Sequence, residues 1–146
     1  MSNGLQCKQL KKSYFQGKVE TSVLHGLDLT VEKGELLAIV GSSGCGKSTF
    51  LHLAGGLDTP TSGEVFINGI NIHQLSDKEK AKFRNQHIGF IYQFHHLMME
   101  FSAVENVAMP LLIRGDSAKQ AQESAKAMLE KVGLGHRGHH RPSELS

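Results

Sequence analysis

A glycine-rich octapeptide constrains this sequence more than any other feature. Residues 41–48, GSSGCGKS, fit the pattern G-x-x-x-x-G-K-[ST], in which a strand leads through a loop into a helix. Glycines let the backbone curl until successive N–H groups point into one concavity, and the helix that follows adds its positive N-terminal end. The octapeptide therefore predicts a site for the phosphates of a nucleotide rather than a plain turn.

Two side chains of this loop have predicted chemical roles. Lys47 would reach the β- and γ-phosphates as a compact positive charge, and the Ser48 hydroxyl would ligate the Mg²⁺ that bridges them. We also expect that alkylation of Cys45 blocks nucleotide binding and that ATP protects this thiol. The predicted nucleotide-binding residues of the loop are Gly41, Ser42, Ser43, Gly44, Cys45, Gly46, Lys47, Ser48 and Thr49.

The segments around the loop indicate an α/β fold. Residues 36–40, LLAIV, form an uninterrupted apolar run, which is typical of a parallel strand covered on both faces. Residues 27–31 alternate and predict a strand, and residues 48–54 predict a short helix that ends at two glycines. Asn68-Gly69, between two apolar runs, predicts an antiparallel hairpin.

Capping patterns mark the helices further along the chain. Ser76 and Glu79 predict the start of a helix that runs through Arg84, and residues 87–92 predict another strand. Residues 103–113 predict a helix that is interrupted at Pro110. Ser117 and Gln120 predict the start of a further helix, which Gly133 closes. Its predicted apolar stripe consists of Ala121, Ala125, Met128, Leu129 and Val132.

Composition excludes disordered, collagen-like and low-complexity proteins. The chain has 146 residues, 39% hydrophobic and 21% charged, as expected for one globular domain or part of one. Its net charge of +2 does not indicate a nucleic-acid partner, and its two cysteines fit a reducing compartment. No secretion signal and no apolar run of about 18 residues is seen, so we expect a cytosolic protein that reaches a membrane only through partners. Four lysines are expected to form a solvated basic face: Lys8, Lys11, Lys12 and Lys18.

Three features together resemble the ATPase domain of ATP-binding cassette (ABC) transporters: the 41–48 loop, the segment that ends at Tyr92-Gln93, and residues 142–146, PSELS. The resemblance covers the whole chain. It implies an α/β P-loop NTPase fold of the ABC ATPase type, with an antiparallel β subdomain and a partial helical subdomain. It divides the chain into a nucleotide-binding core at about 1–93 and a helical subdomain at about 94–146.

The resemblance also assigns roles to single residues. Tyr14 matches the aromatic residue that stacks on adenine, although it could be an ordinary strand tyrosine. Gln93 matches the glutamine that contacts Mg²⁺ or the attacking water, which makes it a catalytic residue together with Lys47. An apolar group coincides with the segment that receives the coupling helix of a membrane subunit, although its members could equally be core residues. These are Phe94, Leu97, Met98, Met99 and Phe101.

Three segments are similar to the LolD-type, lipoprotein-releasing ATPases: GLDTPTSG at 56–63, FIYQFHHL at 90–97 and ENVAMPLL at 105–112. This similarity implies an ATP- and Mg²⁺-dependent subunit that powers the release of lipoproteins from the inner membrane toward the periplasm. Its implied partners are LolC/LolE-type integral membrane subunits and a second copy of the ATPase, at the cytoplasmic face of the bacterial inner membrane.

Two alternatives to this function stay open. One is the ATPase of a related macrolide-export or cell-division complex, and the other is a nucleotide-binding module that does not hydrolyse its ligand. The sequence stops after Leu145-Ser146, the first two residues of the family's signature, so the resemblance implies a C-terminally truncated domain. We therefore expect the 146-residue chain alone to hydrolyse ATP very poorly.

Overall fold

The computed structural model describes residues 4–94 and 96–145. The chain divides into two compact units, residues 1–84 and residues 85–146. The division near residue 93 into a nucleotide-binding core and a helical subdomain stays a prediction.

An antiparallel sheet of four strands forms the frame of the first unit. Its strands are β1 (Leu5–Gln16), β2 (Val19–Val31), β3 (Ser62–Ile67) and β4 (Ile70–Asn71), in the order β2-β1-β3-β4. The strand predicted over residues 27–31 is the end of β2. Its alternation is as expected, because Leu27, Leu29 and Val31 are half-buried while the residues between them are exposed.

The predicted hairpin is present between β3 and β4. Phe66 pairs with Asn71 and Ile67 pairs with Ile70. Asn68 and Gly69 have φ values of 51° and 81°, the left-handed conformation that a tight hairpin turn requires. The prediction from the Asn-Gly pair is therefore confirmed.

Helix α1 (Lys47–Ala54) follows the glycine-rich loop, as predicted. Phe50 and Leu53 are buried on this helix, and Leu10 and Val65 are buried on the sheet. The amide of Gly55 donates to the carbonyl of Leu51 at 2.9 Å, which ends the helix at the expected glycines.

The strand predicted over residues 36–40 is absent, and this prediction is wrong. The segment is irregular, and Leu36 and Val40 are 98% and 88% exposed. Leu37 to Val40 line an apolar cavity of about 400 Å³ together with leucines of β2. A strand exists only through hydrogen bonds to a neighbour, and within residues 4–94 and 96–145 no strand pairs with this segment.

The next helix, α2 (Asp77–His87), begins at the predicted capping box and runs three residues beyond the predicted end. Ser76 N–H donates to Glu79 Oε2 at 3.0 Å, and Glu79 N–H donates to Ser76 Oγ at 3.4 Å. The strand predicted over residues 87–92 is wrong, because His87 is still helical and residues 88–92 are irregular. As for residues 36–40, no described strand offers these residues a hydrogen-bonded edge.

Two helices form the core of the second unit, α3 (Ala103–Arg114) and α4 (Ala118–Lys131). Two 3₁₀ turns follow, at Gly135–Arg137 and Pro142–Glu144. The backbone N–H groups at the start of α3 donate to carbonyls of the chain after α4. The buried residues of this core are Ala103, Val104, Ala108, Ala121, Ala125 and Leu129.

Helix α3 is not interrupted at Pro110, so that prediction is wrong. Proline removes one hydrogen bond from a helix, but the helix continues to Arg114. A capping box that the sequence analysis missed, Ser102 with Glu105, fixes its first turn. Its packing against α4 then compensates for the bond that the proline lacks.

The apolar stripe of α4 is narrower than predicted. Ala121, Ala125 and Leu129 are buried at a spacing of four residues, whereas Met128 and Val132 are 52% and 62% exposed. The capping box at Ser117 is confirmed. Met128 lies at the edge of the stripe and Val132 caps the helix, so neither side chain reaches the core. None of the helices in the described ranges is long and apolar enough to cross a membrane.

Candidate phosphate-binding site

The glycine-rich loop is shaped by a bulge in β2. Lys12 pairs with Leu24 and Ser13 pairs with Ser22, so Val23 is an extra residue in the ladder. A Cβ built on Gly46 would lie 3.0 Å from Val23 Cγ1, and Gly46 has a φ of 98°. The last glycine of the pattern therefore has both a left-handed backbone and no room for a side chain. The bulge itself has no signal in the sequence and was not predicted.

Lys47 bends back across the loop. Its Nζ donates to the carbonyl oxygens of Gly41 and Ser42, at 2.8 Å and 2.7 Å. Both bonds are exposed, and a carbonyl is a weaker partner for an ammonium group than a phosphate oxygen is. The lysine charge is therefore held at the loop and is free to exchange these carbonyls for an anion.

A cavity of about 330 Å³ lies against the loop and the first turn of α1. The amides of Lys47, Ser48 and Thr49 belong to this first turn, where a helix has no acceptors of its own. Phe50 N–H, in contrast, already donates to Gly46 O at 2.8 Å. The residues that line the cavity are Val23, Ser43, Gly44, Gly46, Lys47, Ser48 and Thr49. A concavity with one ammonium group and several open N–H groups is suited to bind an anion.

The donor set also fits Mg²⁺. Ser48 is exposed and lines the cavity beside Lys47, so its hydroxyl oxygen is open to a cation. Mg²⁺ is usually held by one or two protein oxygens and completed by phosphate oxygens and water, so a single hydroxyl is a fitting protein ligand.

Tyr14 lies on β1 close to the bulge. It pairs with Thr21, which is two residues before Val23, so the pair lies about 7 Å along the strand from the residue that lines the phosphate cavity. Tyr14 is 43% exposed, and its hydroxyl donates to Asp58 Oδ2 at 3.0 Å. Tyr14 therefore lies close to the phosphate cavity, because it pairs with the same strand, β2, that contributes Val23 to the cavity lining.

Lys12 is not part of a solvated face, so that prediction is wrong for this residue. Only 9% of it is exposed, and its Nζ contacts Asp58 Oδ1 at 2.8 Å and Thr59 O at 2.7 Å. Lys8 and Lys11 of the same strand are exposed, as expected. A buried ammonium group must be paired, and the partner carboxylate comes from a loop that sequence alternation does not connect to β1.

The remaining predicted residues lie in the second unit. Gln93 is exposed in a bend, and its role at Mg²⁺ stays a prediction. Of the predicted docking group, Phe94 is 71% exposed, while Leu97, Met98 and Met99 are between 39% and 48% exposed. Phe101 is half-buried. Asn106 holds this segment, because its side-chain amide contacts the backbone of residues 98, 101 and 102.

Comparison with known proteins agrees with this geometry. The model of one protein family, described as ABC transporter, matches residues 24–146, which include the whole loop. The chain belongs to the ABC transporter family.

Curated members of this family share the full extent of the chain. It is 72% identical over 146 residues to the lipoprotein-releasing system ATP-binding protein LolD of Colwellia psychrerythraea, and covers 57% of that protein. It is 55% identical over 143 residues to the protein of the same name from Coxiella burnetii, and covers 61% of it. The chain therefore spans less than two thirds of the length of these relatives.

Solved structures of ABC cassettes have the same fold. One is a dimeric post-hydrolysis state of an ATP-binding cassette bound to ADP and Pi, and another is a dimeric bacterial ABC transporter cassette. Each is 35% identical to this chain, with a TM-score of 0.88. In each case the match covers 97% of this chain and 63% of the solved chain. The predicted α/β fold of the ABC ATPase type is confirmed.

Proposed function

We propose that this chain is the ATP-binding part of an ABC transporter that releases lipoproteins from the inner membrane toward the periplasm. The observation that carries the nucleotide site is the Lys47 ammonium group, which is held at a concave loop by two exposed backbone carbonyls and a weak contact with Cys45 Sγ. The substrate class is supported by the names of the relatives, which are 72% and 55% identical to the chain.

In this proposal the phosphates of ATP lie in the cavity between the loop and α1. Lys47 exchanges the carbonyls of Gly41 and Ser42 for β- and γ-phosphate oxygens, while the open amides of the first turn of α1 donate to the same groups. Tyr14 stacks on the base. Each contact uses a group that the described structure leaves exposed or without a stronger partner.

Ser48 would hold Mg²⁺ in the first unit, and Gln93 is proposed as a further ligand on the sole ground that it matches the family's glutamine. A Mg²⁺ ion held there would supply positive charge that offsets the negative charge of the phosphates. The chain's own part is to orient the nucleotide through Lys47 and to position water through the Gln93 amide. The residues lining the cavity include no carboxylate that could accept a proton from water. We therefore propose that this chain by itself hydrolyses ATP very poorly.

The proposed partners are LolC/LolE-type membrane subunits and a second copy of the ATPase. The apolar side chains exposed at Phe94, Leu97, Met98 and Met99 form the proposed docking surface for the membrane subunit. Methionines suit such a surface because they adapt to the shape of a partner. This docking places the protein at the cytoplasmic face of the inner membrane as a peripheral subunit.

Calorimetric titration with Mg-ATP tests the nucleotide site. Replacing Lys47→Ala removes a charged donor, and we expect affinity to fall about 10- to 100-fold. Lys33→Ala is the matched control, because it removes the same charge from an exposed turn and should leave the affinity unchanged. Equal affinities of the protein and the Lys47→Ala variant would overturn the phosphate site.

Two further measurements test the proposed membrane partner and the proposed rate of hydrolysis. Co-purification of LolC/LolE-type subunits, lost on Phe94→Asp but kept on Lys33→Ala, would support the proposed partner. Steady-state phosphate release that is fast and abolished by Lys47→Ala would overturn the proposal that the chain hydrolyses slowly.

A further inference from the structure

Lys12 and Asp58 form a partly buried ion pair beside Tyr14. Lys12 Nζ lies 2.8 Å from Asp58 Oδ1, and the side chains are 11% and 32% exposed. The same ammonium group donates to Thr59 O at 2.7 Å, so two acceptors fix its position. Because Asp58 is partly exposed, the attraction between the two charges adds little to stability. The geometry of the pair is nevertheless well defined, because the Lys12 ammonium group is buried.

The pair holds the Tyr14 ring from two directions. Asp58 Oδ2 accepts from the Tyr14 hydroxyl at 3.0 Å, and Lys12 Nζ lies 4.8 Å from the ring centroid, over one face. Tyr14 as a whole residue is 43% exposed, although the ammonium group lies over one face of its ring and its hydroxyl is bonded. The ring is therefore both fixed and partly open.

Asp58 is in turn attached to the helix that begins at the phosphate loop. Its backbone N–H donates to His52 O at 3.3 Å, and that of Leu57 donates to the same oxygen at 2.8 Å. His52 belongs to α1, whose eight residues span about 12 Å. The ring and the phosphate loop are thus connected through one rigid helix and one ion pair.

The charge of Asp58 agrees with this arrangement. Burial acts to raise the pKa of its carboxyl group, but hydrogen bonds from Lys12, the Thr59 amide and Tyr14 outweigh burial and lower it. The carboxylate is therefore charged at neutral pH and remains an acceptor for both partners.

We propose that Lys12 and Asp58 are positioning residues for the nucleobase: they hold the Tyr14 ring as a preformed platform on which the base of a bound nucleotide stacks. This inference rests on the proposed nucleotide site. A free surface tyrosine would have to be ordered when the base binds, and ordering one side chain weakens affinity roughly two- to tenfold. The ion pair removes this loss before binding.

The test compares ATP with inorganic tripolyphosphate, which has the phosphates but no base. Asp58→Asn and Lys12→Met should each weaken binding of Mg-ATP about two- to tenfold and leave binding of tripolyphosphate unchanged. Lys11→Met is the matched control, because Lys11 is exposed on the same strand and should change neither ligand. Lys12→Arg keeps the charge and should retain most of the affinity for ATP.

A double-mutant cycle excludes a merely structural role. In a Tyr14→Ala background, Asp58→Asn should cause no further loss of ATP affinity, because the platform is already absent. Equal losses for ATP and tripolyphosphate, or losses that persist in the Tyr14→Ala background, would overturn the proposal. So would unchanged ATP affinity in Asp58→Asn.

Failure of the proposed function gives a different result. If Lys47→Ala leaves tripolyphosphate binding unchanged, the phosphate site itself is wrong. If Lys47→Ala weakens both ligands while Tyr14→Ala weakens neither, the phosphate site stands and the base platform is refuted. Folding of each variant is checked by its denaturation midpoint, and Asp58→Asn serves where Lys12→Met does not fold.

Discussion

Gly46 lies directly against Val23, and this contact leaves little space for a side chain at Gly46. A Cβ on Gly46 would lie 3.0 Å from Val23 Cγ1 and 3.3 Å from the Val23 carbonyl oxygen. Val23 is the extra residue of the β2 bulge, and it lines the phosphate cavity. The bulge in β2 and the glycine of the loop therefore form one structural feature of the phosphate cavity.

Gly46→Ala is expected to destabilise the protein by about 2–5 kcal/mol. The left-handed backbone contributes about 1–2 kcal/mol of this loss, and the contact with Val23 adds about 1–3. Gly34→Ala is the control, because Gly34 has a φ of 80° but open space around a Cβ, and should lose only the backbone part. Urea denaturation measures both. Equal losses in the two variants would show that the Val23 contact is not tight.

Alkylation of Cys45 should abolish nucleotide binding. Cys45 is exposed, and its Sγ lies 3.6 Å from Lys47 Nζ, so an added group would occupy the space that phosphates need. Cys7 is buried, and burial raises the pKa of its thiol to about 11, so it should react slowly. Mass spectrometry after one equivalent of N-ethylmaleimide should find the label at Cys45, and ATP should slow the reaction. Full binding after stoichiometric labelling would contradict this prediction, and Cys45→Ser should bind in the presence of the reagent.

His73 should make stability depend on pH near neutrality. Its Nε2 lies 3.0 Å from the Leu53 carbonyl, which only accepts, so Nε2 carries the proton, and the buried Nδ1 has no hydrogen-bond partner among the described residues. Burial lowers the pKa of His73; the Leu53 carbonyl opposes this shift, and Lys80 adds to it. Protonation would place a second N–H where nothing accepts it.

The sign follows from proton binding. Below about pH 6.5 the unfolded chain binds a proton at His73 that the folded chain resists, so stability falls as pH falls through this range. Urea midpoints at pH 8, 7, 6 and 5 should show this decrease, and His73→Gln should reduce it. His139→Gln, a change at an exposed histidine, should not. Identical pH profiles for the protein and His73→Gln would refute the prediction.

Asn106→Asp should destabilise the second unit. The two N–H groups of Asn106 Nδ2 are shared among the carbonyl oxygens of Met98, Phe101 and Ser102, which lie at 3.0–3.1 Å, and an aspartate would lose these bonds and repel the three oxygens. We expect a loss of about 2–3 kcal/mol in unfolding free energy. Asn85→Asp, the same change where one bond to Pro110 O is lost, should cost about 1 kcal/mol. Faster hydrogen exchange at the Met98 amide would confirm that the segment is released, and unchanged exchange would contradict it.

Sequence-based prediction succeeded where neighbours in the chain decide the structure. The hairpin at Asn68-Gly69 and the capping boxes at Ser76 and Ser117 formed as expected, because each depends on contacts within about four residues. The start of α1 at the loop has the same origin.

Prediction failed where a distant partner decides the structure. The apolar run at 36–40 has the composition of a buried strand, but a strand needs a neighbouring edge, which no described strand provides. Lys12 was expected in solvent, but it is buried, because Asp58, 46 residues away, neutralises it. The hydrophobic pattern of a short segment does not indicate whether such a distant partner is present.

The sequence by itself determined the chemistry of this protein: a phosphate-binding loop, its lysine and its hydroxyl, since those residue types act at fixed spacing along the chain. Only the tertiary structure decided how the site is held. The contact between the β2 bulge and Gly46, and the ion pair beside Tyr14, arise from strand residues brought together with residues of the loops at positions 46 and 58. Contacts of that kind depend on packing in three dimensions, which hydrophobic periodicity does not encode.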